Sequence, residues 1–539
     1  MRSSVLWGGV AAVTLLRAIG AMRLPVNGDE AYYWEWSRHL AAGYVDHPPA
    51  VAYAIALFAW LGHSPFAIRA AFVLCGLITA LAAGATASFL TRDHRAGAVT
   101  ALALTLTPLL LVAFGTATPD GPYLAFWSLS LYCAVRAFQE RSTLWFASLG
   151  LALGGAILSR VFGVALILGV VAYALMPQQR WAWRRGMWVA LLAAGLSITP
   201  LMLWNAQNGW PTFVFALLAR HHDQLQITRP LMLHATNLFA YSPGLFVAAA
   251  VLAMRPRNAL IAWTALPLTF GLTLLSLLEP VEVYWFFGPY VSLSVAIGIA
   301  FVGLTATVQR AWLVGAGAPA MALSASLLAA VLVPATMYSA ARHVGLILRN
   351  GGPFEILTYS ALARDVQHIA SSRHAIVMTD GYGFSSVLDF YGNIPPVVIG
   401  YAAQGKVSLD WSDAHSPFAS ALFVDKAPLH AIPDHPEHGP GRADFAGQLA
   451  LACKHVEPGP TLSYAMAPSG DSTPTRSYFT TWCNGLRSGG LAILRWHRGK
   501  GEAAGLWGWA AKPKGVAKGP RWRWRRWFQR RKDTGEVFP

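Results

Sequence analysis

The segment from residue 27 to residue 49 holds the densest group of side chains in this chain that could do chemistry. Its sequence is NGDEAYYWEWSRHLAAGYVDHPP, in which Asp29 and Glu30 follow Asn27 and Gly28. Paired carboxylates can deprotonate or orient a hydroxyl nucleophile, and neighbouring aromatic rings suit the apolar faces of a sugar or a lipid. The same residues also fit an acidic helix N-terminus with an aromatic belt, so both interpretations stay open.

The composition indicates where this segment must lie. Only 12% of the 539 residues are charged, 55% are hydrophobic and the mean hydropathy is +0.43. A soluble protein of this length would carry about 25% charged residues. So much apolar surface requires a membrane, which excludes a cytosolic enzyme and a disordered scaffold.

Apolar runs long enough to cross a bilayer of about 30 Å recur along the chain as far as residue 334. They lie at residues 5–22, 65–90, 96–114, 122–138, 144–159, 161–176, 187–204, 236–254, 259–278, 286–305 and 312–334. The first run lacks a small-residue cleavage site before a polar domain and is predicted to stay uncleaved. Residues 49–62 form a run of only 14 and are predicted to lie at the interface. We predict a polytopic α-helical membrane protein with about 11 transmembrane helices, plus interfacial helices in the first outer loop.

The basic residues set the predicted orientation. If the N-terminus is inside, most loop arginines lie on the inner side, as the positive-inside bias requires. The outer loops after the first carry little beyond Arg160, Arg220 and Arg229. Eight of the ten acidic residues before position 346 then fall at the outer face, so the polar chemistry concentrates there. An odd number of spans also places the C-terminal part outside.

Three regions follow from the change in composition: a transmembrane domain at 1–345, a small α/β domain at 346–500 and a basic tail at 501–539. Strands are predicted at AIVMTD, PPVVIGY, SALFVDK and LAILRWH, and a helix at 354–371. Cys453 and Cys483 lie in this polar region and could pair if it faces an oxidising compartment.

The tail carries ten basic residues between Lys512 and Lys532, and the formal net charge of the chain is +16. Its alternating Trp and Arg could stack on RNA. On a membrane protein whose C-terminus lies on the outer side, anionic lipid head groups or lipopolysaccharide phosphates are the more available partner. A disordered basic terminus without a partner fits equally well. We therefore expect membrane lipids as partners and no nucleic acid.

Six short motifs resemble those of a known superfamily. They are Asp29-Glu30-Ala31-x-Tyr33, Asp46-His47-Pro48-Pro49, Thr118-Pro119-Asp120, Leu158-Ser159-Arg160, Pro200-x-x-x-Trp204-Asn205-x-x-x-Gly209-Trp210-Pro211-x-Phe213 and Leu388-Asp389-Phe390-Tyr391-Gly392. In this order they resemble the integral-membrane glycosyltransferases of the GT-C superfamily, in the branch of the lipid A aminoarabinose transferases and protein mannosyltransferases. The chain differs from the usual pattern of that branch in having Arg160 where Lys is usual. It also has Glu282-Val283-Tyr284-Trp285-Phe286 in the outer loop after the ninth span, where relatives often carry Asn-Trp-Pro, and it has the basic tail.

The resemblance implies an inverting transferase that takes a sugar from a polyprenyl-phosphate donor of the undecaprenyl-phosphate type. The acceptor would be a lipid, glycan or protein, such as lipid A or the lipopolysaccharide core, at the periplasmic face of a bacterial inner membrane. Asp29 would act as the general base or orient the acceptor. Because no metal cofactor is expected, Arg160 would stabilise the departing phosphate, since its planar fork matches phosphate oxygens. An interfacial arginine without that role is the alternative.

Further substrate-binding residues are expected around the same outward-facing cavity. They are Glu30, Tyr33, Asp46, His47, Asp120, Asn205, Arg220 and His221. Asp120 equally fits the cap of the helix that follows it. His221, His222 and Asp223 could bind a divalent ion, but adjacent histidines point apart and no third ligand is evident.

The alternative function is a transporter or flippase of lipid-linked saccharides. Transporters usually place polar residues near the bilayer midplane and have repeated halves. The runs 96–114, 259–278, 286–305 and 312–334 contain no charged residue, and no internal repeat is evident. Transfer is therefore favoured over transport.

Overall fold

The structure is a computed structural model of the chain and describes residues 3–213, 225–254, 258–333, 352–379, 381–394, 420–426, 453–465 and 475–486. Two of the predicted strands, at 395–401 and 491–497, and the basic tail lie outside the described residues.

The described part is mostly helical, as predicted. The α-helices within it are α1 (Ser3–Arg23), α2 (Gly28–Arg38), α3 (Ala50–Leu57), α4 (Pro65–Thr91), α5 (His94–Thr105), α6 (Pro108–Ala113), α7 (Asp120–Glu140), α8 (Thr143–Ser159), α9 (Gly163–Leu175), α10 (Gly186–Asn208), α11 (Arg229–Ala240), α12 (Pro243–Met254), α13 (Ala259–Leu275), α14 (Phe287–Val302), α15 (Ala306–Trp312), α16 (Ala318–Leu332), α17 (Tyr359–Ser372) and α18 (Tyr382–Gly392). A π-helical turn, Leu313–Gly317, joins α15 to α16.

Several of these helices could cross a membrane by their length and composition. They are Ser3–Arg23, Pro65–Thr91, Gly186–Asn208, Val283–Val302 and Ala306–Ala329, and the pair α12 and α13 adds a sixth if it forms one span. Two shorter apolar helices are Thr143–Ser159 and Gly163–Leu175. These segments fit a multi-pass membrane protein, while the number of eleven spans stays a prediction. Helix α3 has only 8 residues, about 12 Å, which is too short to cross.

Two predicted spans are not continuous helices. The run 96–114 is divided into α5 and α6 immediately before Pro108, and the run 236–254 is divided into α11 and α12 before Pro243. Proline lacks the N–H that would continue the preceding helix, and it disfavours the helical conformation of the residue before it. Ser242, between α11 and α12, has a left-handed φ of 73°. The structure thus divides each of these two runs into two helices, and their crossing of the membrane stays a prediction.

The C-terminal domain contains a four-stranded sheet in the order β1-β2-β4-β3. The strands are β1 (Ile376–Met378), β2 (Ser420–Asp425), β3 (Cys453–Ala465) and β4 (Thr475–Leu486), with β1 and β2 parallel and the other pairs antiparallel. The sequence predicted β1 and β2 but not the hairpin of β3 and β4. A disulfide between Cys453 and Cys483 joins these last two strands.

The first loop and the C-terminal domain share one hydrophobic core. Trp36 and Tyr44 of the loop belong to the same buried cluster as Leu362, Val387 and Leu422 of the C-terminal domain. Helix α2 packs against α18, and a Cβ on either Gly28 or Gly383 would approach the backbone of the other within 3.1 to 3.2 Å. The loop is therefore held on one side by the helical domain and on the other by α18.

Candidate functional site

Helix α2 begins with a capping box that sets the direction of both acidic side chains. The Asn27 Oδ1 accepts a hydrogen bond from the Glu30 N–H at 3.0 Å, and the Asn27 N–H donates to Glu30 Oε2 at 3.1 Å. This reciprocal arrangement satisfies two N–H groups at the helix start. It turns Glu30 inward, while Asp29 in the same first turn is exposed.

Glu30 is buried in an ion pair and does not face a cavity. The Arg69 guanidinium, from α4, donates through Nε to Oε1 at 2.6 Å and through Nη2 to Oε2 at 2.5 Å. The backbone N–H of Ala117 also donates to Oε1 at 2.8 Å, and the side chains of both ion-pair partners are 0% exposed. The structure thus corrects the expectation that Glu30 contacts substrate, because its oxygens are already occupied by the chain itself.

Asp29 receives a hydrogen bond from the C-terminal domain. The Tyr382 hydroxyl, in the first turn of α18, donates to Asp29 Oδ1 at 3.2 Å. The Tyr382 ring packs on Tyr32 with its centroid 4.5 Å away. The carboxylate therefore has a fixed position while its residue stays exposed, which suits a group that must reach an acceptor.

Tyr33 and the Asp46-His47 segment surround the same part of the loop. Burial raises the pKa of Tyr33 well above its ordinary value, the charges of Asp46 and Asp29 raise it further, and the charge of Arg160 opposes them. The phenol therefore stays protonated and can donate a hydrogen bond. The imidazole of His47 lies 6.1 Å from the Tyr33 ring, and Tyr32 donates to Asp46 Oδ1 at 3.4 Å.

Asp120, at the start of α7, forms a bidentate ion pair with Arg160, at the end of α8. Arg160 Nε lies 2.7 Å from Asp120 Oδ1, and Nη2 donates to Oδ2 at 2.9 Å. The side chain of each is 9% exposed. Asp120 makes no helix cap, since the N-cap of α7 is Pro119 and has no capping hydrogen bond. The alternative of a capping role is therefore wrong, and Asp120 orients Arg160.

Among the described residues, the contact with Asp120 occupies only part of the Arg160 guanidinium. An arginine has five N–H groups, and Asp120 lies against Nε and Nη2. The Tyr284 ring lies 4.9 Å from Arg160 Cζ. Tyr284 therefore brings an aromatic face to the cation.

The buried side chain of Asn205 stabilises a turn of the chain through hydrogen bonds. Its Nδ2 donates to the Leu201 carbonyl at 3.0 Å, and its Oδ1 accepts from the Thr212 N–H at 3.2 Å. Thr212 in turn donates through its hydroxyl to the Tyr44 carbonyl at 2.6 Å. Since Asn205 is 0% exposed, the expected substrate contact is corrected to a structural role that ties the end of α10 to the first loop.

Two expected site residues, Arg220 and His221, lie outside the described residues. Within the described ranges, His, Cys, Asp and Glu side chains form no group of three that could hold a metal ion.

Four residues of this region were not assigned a role from the sequence. Arg69 is a charged residue inside an apolar run, and that signal could have identified it as the partner of Glu30. Tyr382 and the ion pair of Arg38 with Asp389 (Nη1 to Oδ2, 2.9 Å) carry no such signal, because they depend on how α18 docks on α2.

Comparisons with known proteins identify a protein family, a curated relative and solved structures that this chain resembles. The family of dolichyl-phosphate-mannose-protein mannosyltransferases matches residues 46–204. The lipid A galacturonosyltransferase RgtD of Rhizobium johnstonii is 27% identical over 277 residues, which cover 49% of this chain. The chain spans only 58% of that relative's length.

Solved structures of ArnT from Cupriavidus metallidurans share the fold. The ArnT structure bound to undecaprenyl phosphate has a TM-score of 0.60 and 17% sequence identity, and the match covers 89% of this chain and 98% of the ArnT chain. The apo structure matches the same shares with a TM-score of 0.59. The resemblance predicted from the motifs is therefore confirmed: the chain is similar to the dolichyl-phosphate-mannose-protein mannosyltransferases over residues 46–204 and to RgtD, and it shares the fold of ArnT.

Proposed function

We propose that this chain is an inverting glycosyltransferase that moves a sugar from a polyprenyl-phosphate donor to an envelope acceptor. The observation that carries the proposal is the Asp120–Arg160 ion pair. The charge of Arg160 lowers the pKa of Tyr33, and the charge of Asp29 raises the pKa of the same phenol. A cation prepared for a phosphate and a carboxylate prepared for an acceptor are thus near the same phenol. Transfer from a lipid phosphate needs both groups.

On the donor side, Arg160 would bind the phosphate that leaves. Its free N–H groups, held in direction by Asp120, would donate to the phosphate oxygens, and the protonated Tyr33 supplies another donor nearby. As the bond from the anomeric carbon to the phosphate oxygen breaks, its electron pair goes to that oxygen. The charge that develops there is stabilised by fixed donors in a partly buried site.

On the acceptor side, Asp29 would take the proton of the attacking hydroxyl. The oxygen then forms its bond to the anomeric carbon from the face opposite to the phosphate, which inverts the configuration. If the acceptor is an ionised phosphate, no proton is lost and Asp29 only orients it. Asp46 and His47 are proposed to bind the substrates beside it, and the hydrogen bond from Tyr382 fixes the direction of the carboxylate.

The names of the relatives guide the choice of substrates. RgtD is named as a lipid A galacturonosyltransferase, and ArnT was solved with undecaprenyl phosphate. We propose an undecaprenyl-phosphate sugar as donor and lipid A or the lipopolysaccharide core as acceptor. The proposed location is a bacterial inner membrane, with the domain of residues 346–500 in the periplasm, where the Cys453–Cys483 disulfide is stable.

The test is transfer from a panel of radiolabelled polyprenyl-phosphate sugars to a membrane extract by the purified protein. Asp29→Asn should abolish transfer without loss of folding. Asp93→Asn is the matched control, since Asp93 caps α5 and pairs with Arg95 at a distant helix start. Full activity of Asp29→Asn would contradict the assignment. Absence of transfer from every donor, with lipid binding intact, would favour transport, which a sidedness assay in vesicles would then measure.

A further inference from the structure

Helix α1 buries an arginine that the proposed reaction does not use. Arg17 is 3% exposed, and its Nε and Nη2 have no hydrogen-bond partner among the described residues. Its Cζ lies 5.3 Å from the Phe114 ring centroid, a contact that compensates only part of the cost of burying a charge. An ionisable side chain inside a membrane-crossing helix usually marks a site with a specific partner.

The partner can enter through a cavity that Arg17 lines. This cavity lies between α1, the α6 segment and α16. Its lining residues here are Arg17, Gly20 and Ala21 of α1, and Leu24, which follows the helix and donates its N–H to the Gly20 carbonyl. Their spacing of three, four and seven places them on one face of the helix. The cavity therefore runs from the buried guanidinium to the end of α1, a rise of about 10 Å.

The opposite walls of the cavity are apolar. Leu111 and Val112 belong to α6, and Leu327 and Leu328 belong to α16. The one hydroxyl on this side is that of Thr116, which already donates to the Val112 carbonyl at 3.0 Å. The site thus combines one unpaired cation with hydrocarbon walls, so its complement is an anion joined to an acyl chain.

We propose that this cavity binds an anionic phospholipid of the bilayer, with its phosphate on Arg17 and an acyl chain along α6 and α16. The guanidinium fork matches the geometry of phosphate oxygens and would gain the hydrogen bonds that the described protein does not supply. The site is separate from the Asp120–Arg160 pair and does not depend on sugar transfer. It would lock α1, which precedes the Asp29 loop, against α16.

Native mass spectrometry of the delipidated full-length protein with phosphatidylglycerol tests the proposal. The wild type should retain one tightly bound lipid, and Arg17→Gln should lose about tenfold in affinity, as expected for a hydrogen bond to a charged group. Arg23→Gln is the matched control, because it removes an exposed cation near the end of the same helix. Leu328→Trp keeps the cation but fills the cavity, and it should also lose the lipid.

Thermal melting in lipid-free detergent separates binding from a structural role. Arg17→Gln should melt at or above the wild-type temperature, because it removes an uncompensated buried charge. Added phosphatidylglycerol should raise the melting temperature of the wild type and of Arg23→Gln, but not that of Arg17→Gln.

Four results of these two experiments would overturn the proposal, and a competition experiment supplies a fifth. They are equal lipid retention by Arg17→Gln and Arg23→Gln, unchanged binding by Leu328→Trp, a lower lipid-free melting temperature for Arg17→Gln, and protection by inorganic phosphate equal to that by the lipid. Displacement of phosphatidylglycerol by an equal concentration of undecaprenyl phosphate would assign the cavity to the polyprenyl chain and overturn the phospholipid.

Discussion

The Tyr382 hydroxyl donates a hydrogen bond of 3.2 Å to Asp29, a residue that lies 353 positions earlier in the chain. One residue belongs to the C-terminal domain and the other to the loop after the first helix. The same interface contains the Arg38–Asp389 ion pair and the hydrogen bond from the Val26 N–H to the Tyr391 hydroxyl. The C-terminal domain therefore positions the proposed catalytic carboxylate.

Replacing Tyr382 by Phe should reduce turnover with little change in stability. The ring can still pack on Tyr32, while Asp29 loses one hydrogen bond, and a loss of about 3- to 10-fold in kcat is expected. KM for the donor should stay unchanged, because Tyr382 contacts the carboxylate and not the phosphate site. Steady-state rates and melting temperatures measure both effects.

Tyr391→Phe is the control for this change, since it removes another hydroxyl of α18 that accepts from the first loop. It should lower stability and leave kcat per folded molecule unchanged. Equal loss of kcat in both variants would show that docking alone, and not the bond to Asp29, accounts for the effect.

Glu30 and Asp29 are adjacent, but loss of charge should lower the stability of the protein at Glu30 and leave it nearly unchanged at Asp29. Glu30→Gln leaves Arg69 buried without its counter-ion, a change that typically costs about 3–5 kcal/mol. Asp29→Asn changes an exposed residue and should melt close to the wild type. Thermal unfolding of the two purified variants checks this, and a stable Glu30→Gln protein would contradict the structural role of the ion pair.

Arg160→Gln should reduce kcat/KM by about 10²- to 10³-fold, the usual cost of losing one fixed donor to a developing charge. Asp120→Asn should cost less, because it misdirects the guanidinium without removing it. In the double variant the two losses should not add, since both residues act through one contact.

A second measurement shows whether Arg160 binds phosphate. Free polyprenyl phosphate should inhibit the wild type by occupying the donor site, and the inhibition constant should rise at least about tenfold in Arg160→Gln. Arg141→Gln is the control, since this cation lies over Trp181 just beyond the other end of α7. Unchanged inhibition in Arg160→Gln would exclude the phosphate contact.

The sequence predicted elements whose signals are local. Strands β1 and β2 are short apolar runs, and they occur where expected, whereas β3 is mostly exposed and polar, so it carries no such run. Site residues were harder to assign because a motif does not show which way a side chain points. The capping box turns Glu30 inward and leaves Asp29 exposed. At the end of α10, both the Nδ2 and the Oδ1 of Asn205 form hydrogen bonds with the backbone.

Asp389 should make the docking of α18 on α2 depend on pH. Burial raises its pKa from 3.8 to about 6, although the Arg38 charge opposes the shift. Because the folded state holds the proton more tightly than the unfolded state, stability falls as the pH rises from about 4 to about 6 and is level above that. The whole change amounts to about 3 kcal/mol.

The difference between the melting temperatures of the wild type and Asp389→Asn, followed from pH 4 to pH 8, isolates this group. The wild type should lose stability relative to the variant up to about pH 6, because only the wild type must then bury an ionised carboxylate. Arg38→Gln removes the opposing charge, so its decline should continue to higher pH. Glu457→Gln, which changes an exposed carboxylate, should follow the wild type throughout. A wild-type profile parallel to that of Asp389→Asn would show that Asp389 does not titrate in this range.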